Sequence, residues 1–446
     1  MQLPESFILK MQDLLGDEFP SFLRSLEEPS QKGLTVNFSK ISKNNFEKIA
    51  DFKLSPVPLV NNGYFVENFK FGEHILNHLG IIYSQEPSAM YPVELLDIEK
   101  GDFVLDLCAS PGGKSIQILE KLDGTGFLLS NEIVYSRAKL LYENLNKMGF
   151  KNFAISCNSP KDFENINIKF DKIIVDAPCG GEGMIRKNNF DMSSYKQSNI
   201  ETNAKRQLEI LNSIKHLLKD GGKIVYSTCT YDRRENEGVI ENFLENNLDF
   251  EIIGNKDFEK IASTGISDNK EIAQSSYRRY PHKHKGEGQF MILMQKLGNE
   301  EIENTNRLPN TFSILYRNSL KDFERNFTSI ANIKDLNIAK RNNSYFALPE
   351  NYPNLEKLNI LTIGCLIGTQ EKTFKISHQF YRTYSRLFLN KVDLDLENAI
   401  KYLKGEELDS DRKNGIVVVT HKNIPLGGGK IANEKLKNYY PKELRI

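Results

Sequence analysis

The chain has 446 residues, room for two to four domains, and its 39% hydrophobic and 26% charged residues are those of an ordinary globular protein. Lysine plus arginine equals aspartate plus glutamate at 59 each, so global charge selects no partner, and no apolar run approaches the roughly 18 residues of a membrane span. Five cysteines in varied contexts are no disulfide framework and fit a reduced cytoplasmic setting, and Met1–Glu5 opens without the basic region and apolar core of a signal peptide.

Residues 1–70 mix helical spacing (Phe7, Met11, Leu14, Leu15) with turns and a short strand at Gly33–Asn37, which predicts a small α+β unit. From about residue 71 to 297 short apolar runs alternate with helical stretches. The strands predicted there are Phe103–Leu107, Gly126–Asn131, Phe153–Cys157, Lys172–Asp176 and Gly222–Ser227. Ala138, Leu141, Leu145 and Met148 mark one helix face between them; Ala204, Leu208, Leu211 and Leu218 mark another, closed by Gly221-Gly222. This alternation predicts a parallel sheet covered on both faces, with Gln289–Gln295 as a late added strand.

Gly298–Asn306 reads as a linker, 307–370 as a linker domain of short strands, and 371–446 as a tail domain. That tail holds a helix over Leu394–Leu403, a strand over Gly415–Thr420 and a turn at Gly427-Gly428-Gly429. It carries 15 basic against 10 acidic side chains, whereas residues 1–70 carry 8 against 9. A basic tail on a neutral protein hints at nucleic acid, and nothing in the sequence demands more than a monomer.

The chemistry concentrates at predicted strand ends. Asp106-Leu107-Cys108-Ala109-Ser110-Pro111-Gly112-Gly113-Lys114 runs from a strand through a glycine turn into a helix. In open α/β sheets ligands sit outside the carboxyl ends of the strands, and glycines let the backbone come close. The turn is neither Gly-x-Gly-x-x-Gly nor a P-loop, because Cys108 stands where the earlier glycine is needed, and this disfavours a nicotinamide dehydrogenase. Glu132 ends the next strand about 20 residues after Gly113, where an acid can bind both ribose hydroxyls.

Asp176-Ala177-Pro178-Cys179 and Ser227-Thr228-Cys229-Thr230 place two thiols at the ligand edge. Asp176 can accept hydrogen bonds from the amidine edge of a base. A helix beginning near Arg234 would lend Cys229 a positive end field that favours its thiolate. Cys157 and Cys365 read instead as small core hydrophobes. No Cys-x-x-Cys is present and His74/His78 lack further clustered ligands, so no metal site is predicted. The stretch Tyr277–Gly286, with Arg278, Arg279, His282, Lys283 and Lys285, mixes phosphate binders with stacking rings and suits single-stranded or looped RNA.

Together these residues resemble the RNA cytosine-5 methyltransferase family (the Nol/Nop/Sun group). Asp-x-Cys-Ala-Ser-Pro-Gly-Gly-Lys at 106–114 is similar to its S-adenosylmethionine loop, and the motifs at 176–179 and 227–230 to its two cysteine motifs. Pro281–Gly288 and Pro425–Lys430 narrow the resemblance to the bacterial RsmF-type branch, which acts on small-subunit ribosomal RNA. The resemblance implies a Rossmann-like methyltransferase core, a small N-terminal extension and a PUA-like, β-rich RNA-binding tail.

It also implies that Cys108, Ala109, Ser110, Pro111, Gly112, Gly113 and Lys114 bind S-adenosylmethionine, with Glu132 on the ribose, Asn158 near the adenine and Asp176 beside both cofactor and cytosine. Cys229 is then the nucleophile and Cys179 the residue that helps release product, while the basic residues above and Lys430 contact RNA. The partner implied is ribosomal RNA or the small subunit. The competing expectations are a tRNA cytosine-5 methyltransferase, which would use the same active site, and a non-catalytic ribosome-assembly factor.

Overall fold

The computed structural model of the chain describes residues 3–187, 197–299, 304–315 and 330–446. Parts of the predicted linker and linker domain therefore lie outside the described residues. At the amino end, the helix Glu5–Leu15 buries Phe7 and Met11. Strands β1 (Lys32–Val36), β2 (Leu54–Pro56), β3 (Gly63–Val66) and β4 (Ile82–Ser84) form an antiparallel sheet in the order β2-β3-β1-β4. This sheet runs past residue 70 because β1 takes β4 as its second partner, with Leu34 opposite Ser84.

The central sheet holds β5 (Phe103–Asp106), β6 (Phe127–Asn131), β7 (Phe153–Ser156), β8 (Phe170–Asp176), β9 (Leu218–Thr228), β10 (Phe250–Ile252), β11 (Ser263–Thr264), β12 (Ser276–Arg279) and β13 (Gln289–Lys296). Its order is β11-β12-β13-β9-β8-β5-β6-β7, with β10 paired to β13. Strands β5 to β9 are parallel, and β13 joins β9 antiparallel. From β5 the chain winds first to β6 and β7 on one side, then returns to β8 and β9 on the other. This leaves a crevice at the carboxyl ends of β5 and β8.

Side chains alternate across this sheet. Leu105, Leu129, Ile173 and Val175 pack with Ile210, Leu211, Ile214 and Phe243 on one face. Val104, Leu128, Ile174 and Val225 pack with Val93, Leu119, Leu141 and Leu145 on the other. Each such buried aliphatic chain contributes roughly 1.5–3 kcal/mol, and both faces are covered, which is why these strands read as unbroken apolar runs.

Three predicted details differ. The helix over Gln197–Ile214 ends before Gly221-Gly222, and Leu218 already belongs to β9. Leu218 pairs with Phe170 and Lys223 with Lys172, so the residues between bulge out, and Gly221 supplies the positive φ of 73° the bulge needs. Gly427-Gly428-Gly429 is no turn. It lies within the strand Ile424–Ala432, where a Cβ on Gly428 would stand 2.3 Å from the Tyr381 ring. The glycines let the helix His378–Thr383 sit directly on the sheet. Finally, Ile360–Ile363, from the predicted linker domain, pairs antiparallel with β7 and extends the central sheet.

The remaining strands form two more sheets. One spans Ser313–Ile314 to Phe374–Ile376, and the other is built from Lys391–Leu394, Leu408–Asp409, Gly415–His421, Ile424–Ala432 and Lys435–Asn438. Among the described residues no helix is long and apolar enough to cross a membrane.

Candidate active site

The glycine turn follows β5 directly. The Leu107 N–H donates to Ile174 O and the Ala109 N–H to Asn131 O, which carries the sheet pattern one step beyond the strands. Ser110-Pro111 is a cis peptide, and Gly112 takes φ 113° before the helix Gly113–Leu122 begins. Ser110 and Arg137 exchange hydrogen bonds at 3.0 and 3.1 Å, and Asn144 donates to Pro111 O at 2.8 Å, so the turn is held from the neighbouring helix. Beneath it lies Asp106, fully buried. One of its oxygens accepts from Ser115 Oγ at 2.6 Å and the other has no partner. Burial pushes its carboxyl up to about 7.

Lys114 points from the start of that helix to Asp176 at the end of β8, at 2.7 Å. Burial works against the Lys114 charge, but the carboxylates of Asp176 and Asp106 outweigh it, and its pKa is raised. The other Asp176 oxygen accepts from Ser227 Oγ at 2.7 Å and lies 3.5 Å from Gln289 Nε2. Both oxygens are thus oriented, while the side chain remains about one-third exposed to the crevice.

The two thiols meet. Cys179 Sγ and Cys229 Sγ are 3.4 Å apart, a hydrogen-bonding distance and far from a disulfide's ~2.05 Å. The Cys229 hydrogen bond, then burial, hold the Cys179 thiol well above its usual range. The field of a helix beginning near Arg234 is not available to Cys229: Arg233–Glu235 is a 3-10 turn and the α-helix starts at Glu237.

What holds the thiol loops in place was not visible in the sequence. Glu235 accepts from Gly180 N–H at 3.0 Å and from Gln207 Nε2 at 2.9 Å, and Gln207 also donates to Pro178 O. Burial pushes Glu235 up to about 7. Glu182, fully buried, accepts from Thr230 Oγ1 and Tyr231 N–H on the Cys229 loop, and the Gly183 N–H donates to Cys229 O at 2.8 Å. Lys10 reaches in from the first helix to pair with Glu182 and, at 3.1 Å, with Asp232. Only the three-dimensional contact of residues 10, 182 and 232 reveals this group.

A cavity of about 870 Å³ runs along the carboxyl edge. Leu107, Cys108, Ser110, Glu132, Asp176 and both thiols of Cys179 and Cys229 line it. Ala109, Pro111, Gly112 and Gly113 shape the turn without lining the cavity. Glu132, buried, accepts from Val134 N–H at 2.9 Å and pairs with Arg137 at 3.3 Å, which leaves carboxylate lone pairs for hydroxyl donors. Asn158 does not line the cavity: its amide donates to Asp162 and accepts from Asn359 N–H. The acceptor oxygens of Glu132, the turn residues Cys108 and Ser110 and an apolar rim at Ile133 suit a nucleoside bearing an amino-acid arm.

The basic-aromatic stretch is largely interior, contrary to its reading as an RNA face. Arg278 is 1% exposed, clamped by both Glu237 oxygens and donating to Tyr231 O at 2.8 Å. Arg279 is 4% exposed, with its guanidinium 4.1 Å from the Tyr91 ring centre. Both lie on β12, covered on each side, so their charges satisfy the interior. His282 turns to Glu18 at 3.2 Å. Lys283, Lys285 and Lys430 are exposed, Lys283 pairing with Glu18 at 2.7 Å. The motif Pro281–Gly288 clasps the amino-terminal helices: Arg186 pairs with Glu287 at 3.0 Å and donates to Gly286 O, and Tyr280 stacks on Tyr231 in a cluster with Phe7, Met11 and Phe22.

Three family models match this architecture. The 16S rRNA methyltransferase RsmB/F model matches residues 93–295, the N-terminal domain of 16S rRNA methyltransferase RsmF residues 3–87, and the methyltransferase RsmF PUA domain residues 389–446. A curated relative, ribosomal RNA small subunit methyltransferase F of Vibrio vulnificus (strain YJ016), is 29% identical over 468 residues, covering 99% of this chain and 97% of its own. A solved methyltransferase homolog protein from Pyrococcus horikoshii is 28% identical at a TM-score of 0.57, covering 66% of this chain and 100% of that one. NSun6 from the same organism, solved with SFG, shares the fold at 20% identity and TM-score 0.57, over 67% and 99% of the two chains. The three domain matches and a relative aligned over 99% of this chain show that it is an S-adenosylmethionine-dependent RNA methyltransferase and belongs to the 16S rRNA methyltransferase RsmB/F family, in its RsmF branch.

Proposed function

We propose that the chain methylates C5 of cytosine in small-subunit ribosomal RNA through a transient bond between Cys229 and C6 of the base. The observation that carries this reading is the 3.4 Å thiol pair beside an oriented Asp176 in one cavity. The names of the relatives support ribosomal RNA as the substrate.

Cytosine C5 is a weak nucleophile within an aromatic ring. The base leaves its stack and enters the crevice. Asp176, its oxygens aligned by Lys114 and Ser227, accepts from the N4 amine and shares a proton with N3, so that N3 takes the proton as the electron pair moves onto it. The Cys229 thiolate bonds to C6, which makes C5 enamine-like. Cys108, Ser110 and Glu132 on the cavity wall would hold S-adenosylmethionine, with Ala109 and Pro111–Lys114 shaping the turn, and the cofactor would supply a methyl electrophile for C5.

The thiol pair orders the later steps. The hydrogen bond with Cys229, then burial, favour the protonated Cys179 thiol. Bonding of Cys229 to C6 removes the first of these, Cys179 gives its proton to water, and its thiolate, 3.4 Å from the Cys229 sulfur, takes the C5 proton. The S–C6 bond breaks, the ring regains aromaticity, and the pair returns to its starting state. Exposed Lys283, Lys285 and Lys430 contribute phosphate contacts from outside the cavity.

The test supplies labelled S-adenosylmethionine with small subunits, free ribosomal RNA and tRNA, and maps 5-methylcytosine. Label in ribosomal RNA is expected. Label confined to tRNA overturns the substrate, and methylation elsewhere than C5 overturns the mechanism.

A further inference from the structure

A second cavity, of about 570 Å³, opens where the three parts of the molecule meet. Asp123–Gly124 and Gly149–Asn152 line it, residues that precede β6 and β7, so it lies at the amino ends of the strands, the edge opposite the thiols. Its cations come from every part: Lys40 from the amino-terminal unit, Lys151 from the methyltransferase core, and Arg382, Arg386 and Lys391 from the tail. The lining carboxylate, Asp123, is already paired with Lys100 at 2.7 Å. Lys151, Arg386 and Lys391 are exposed and hold no ion pair among the described residues.

The floor of the cavity is unusual in its charge. Arg382 is 4% exposed and donates to the carbonyl oxygens of His78 at 2.7 Å and Lys147 at 2.6 Å, while its Nε has no partner. Lys40 donates to Leu79 O at 2.9 Å, and Lys147 to Asn77 Oδ1 at 2.8 Å. No carboxylate contacts these three cations among the described residues. Burial, then their mutual repulsion, push Lys40 well below its usual range and Lys147 down to about 8. Buried charges are ordinarily paired, and this group has only carbonyl and amide dipoles. Gly149, at φ 80°, keeps the floor open: a Cβ there would stand 3.3 Å from the Lys40 ammonium.

We propose that this junction cavity binds a backbone phosphate of the substrate RNA, so that one RNA molecule is held at both edges of the central sheet. The inference rests on the RNA methyltransferase reading and adds a second anchor to it. Strands of four or five residues span roughly 15 Å, a width that a stem-loop can straddle. A phosphate seated here touches all three parts of the chain at once and supplies the counter-charge that Lys40 and Arg382 lack.

The experiment measures fluorescence anisotropy of a labelled RNA stem-loop across a salt series. The triple variant Lys151→Glu/Arg386→Glu/Lys391→Glu changes only exposed side chains. It should weaken binding at least ~10-fold at low salt and lower the slope of log K against log salt by about 1, the value for one lost phosphate contact. The charge-keeping set Lys151→Arg/Arg386→Lys/Lys391→Arg should bind as the parent does. S-adenosylmethionine binding, by calorimetry, should be unchanged in both. Unchanged RNA affinity and slope in the glutamate variant, or equal loss in the charge-keeping one, overturns the proposal. Failure of the C5 mechanism reads differently, as absence of 5-methylcytosine from the parent protein with RNA affinity intact.

Discussion

Two stretches of this chain look alike in what they offer to chemistry and end in opposite places. The strand tips at Asp176–Cys179 and Ser227–Thr230 carry acid, hydroxyl and thiol groups, and they line an open cavity. Tyr277–Gly286 carries arginines, histidines and tyrosines, yet Arg278 and Arg279 are interior and serve packing. Residue type is the same kind of evidence in both. The difference is what covers each strand end: β8 and β9 end at the open cavity, whereas the end of β12 is closed over by Glu237, Tyr231 and Tyr91. Polar motifs at open strand ends are candidates for function, and those met by a packed partner are candidates for buried pairing.

Substitutions can break this contrast, and the largest effect should come from the thiols. Cys229→Ala should lose more than ~10³-fold in turnover and form no RNA adduct, while Cys179→Ala should accumulate a denaturant-resistant protein–RNA adduct on gels. Equal adduct in both, or normal turnover of either, would reverse the assigned roles. Next in size, Arg278→Met leaves Glu237 buried and unpaired and should cost about 3–5 kcal/mol in urea unfolding. The neighbouring Lys285→Met should stay within about 0.5 kcal/mol. Similar values for the two would mean that Arg278 is not the interior clamp described.

Lys10→Met should cost about 1–3 kcal/mol and slow alkylation of Cys229 by iodoacetamide, because Glu182 would no longer be held against the Thr230 hydroxyl and the Tyr231 N–H. Lys10→Arg should restore the rate. The smallest effect concerns pH. The folded Glu235 titrates at about 7, above its ordinary 4.5, so the folded state binds the extra proton between those values and stability falls as pH rises through them. Glu235→Gln should therefore flatten the fall of Tm between pH 5 and 8; an unaltered slope would show that Glu235 is not the group responsible.

Much of the methyltransferase core was legible because strands covered on both faces leave continuous apolar runs, so β5, β6 and β7 fall within a residue or so of their predicted spans. What escaped was whatever depends on a distant partner. Gly427–Gly429 looks locally like a turn, and only the Tyr381 ring lying over it explains glycine inside a strand. Gly221-Gly222 looks like a helix cap, and only pairing with β8 shows it to be a bulge. Lys10, Gln207 and Glu235 carry no local signal, since their partners stand far away in sequence. Ile360–Ile363 was assigned to a separate domain because nothing near it announces that β7 lies alongside.

That last strand bears on how the protein can be divided. A fragment ending near residue 297 would contain every residue of the thiol cavity, yet it would strip β7 of its antiparallel cover and leave the buried, largely apolar Phe153–Ser156 as a bare margin with unsatisfied peptide groups. Such margins recruit other chains into intermolecular sheets. The catalytic unit is therefore not a portable module: expressed alone it should aggregate, and fusions or truncations that aim to borrow its chemistry need to retain the chain through Ile363.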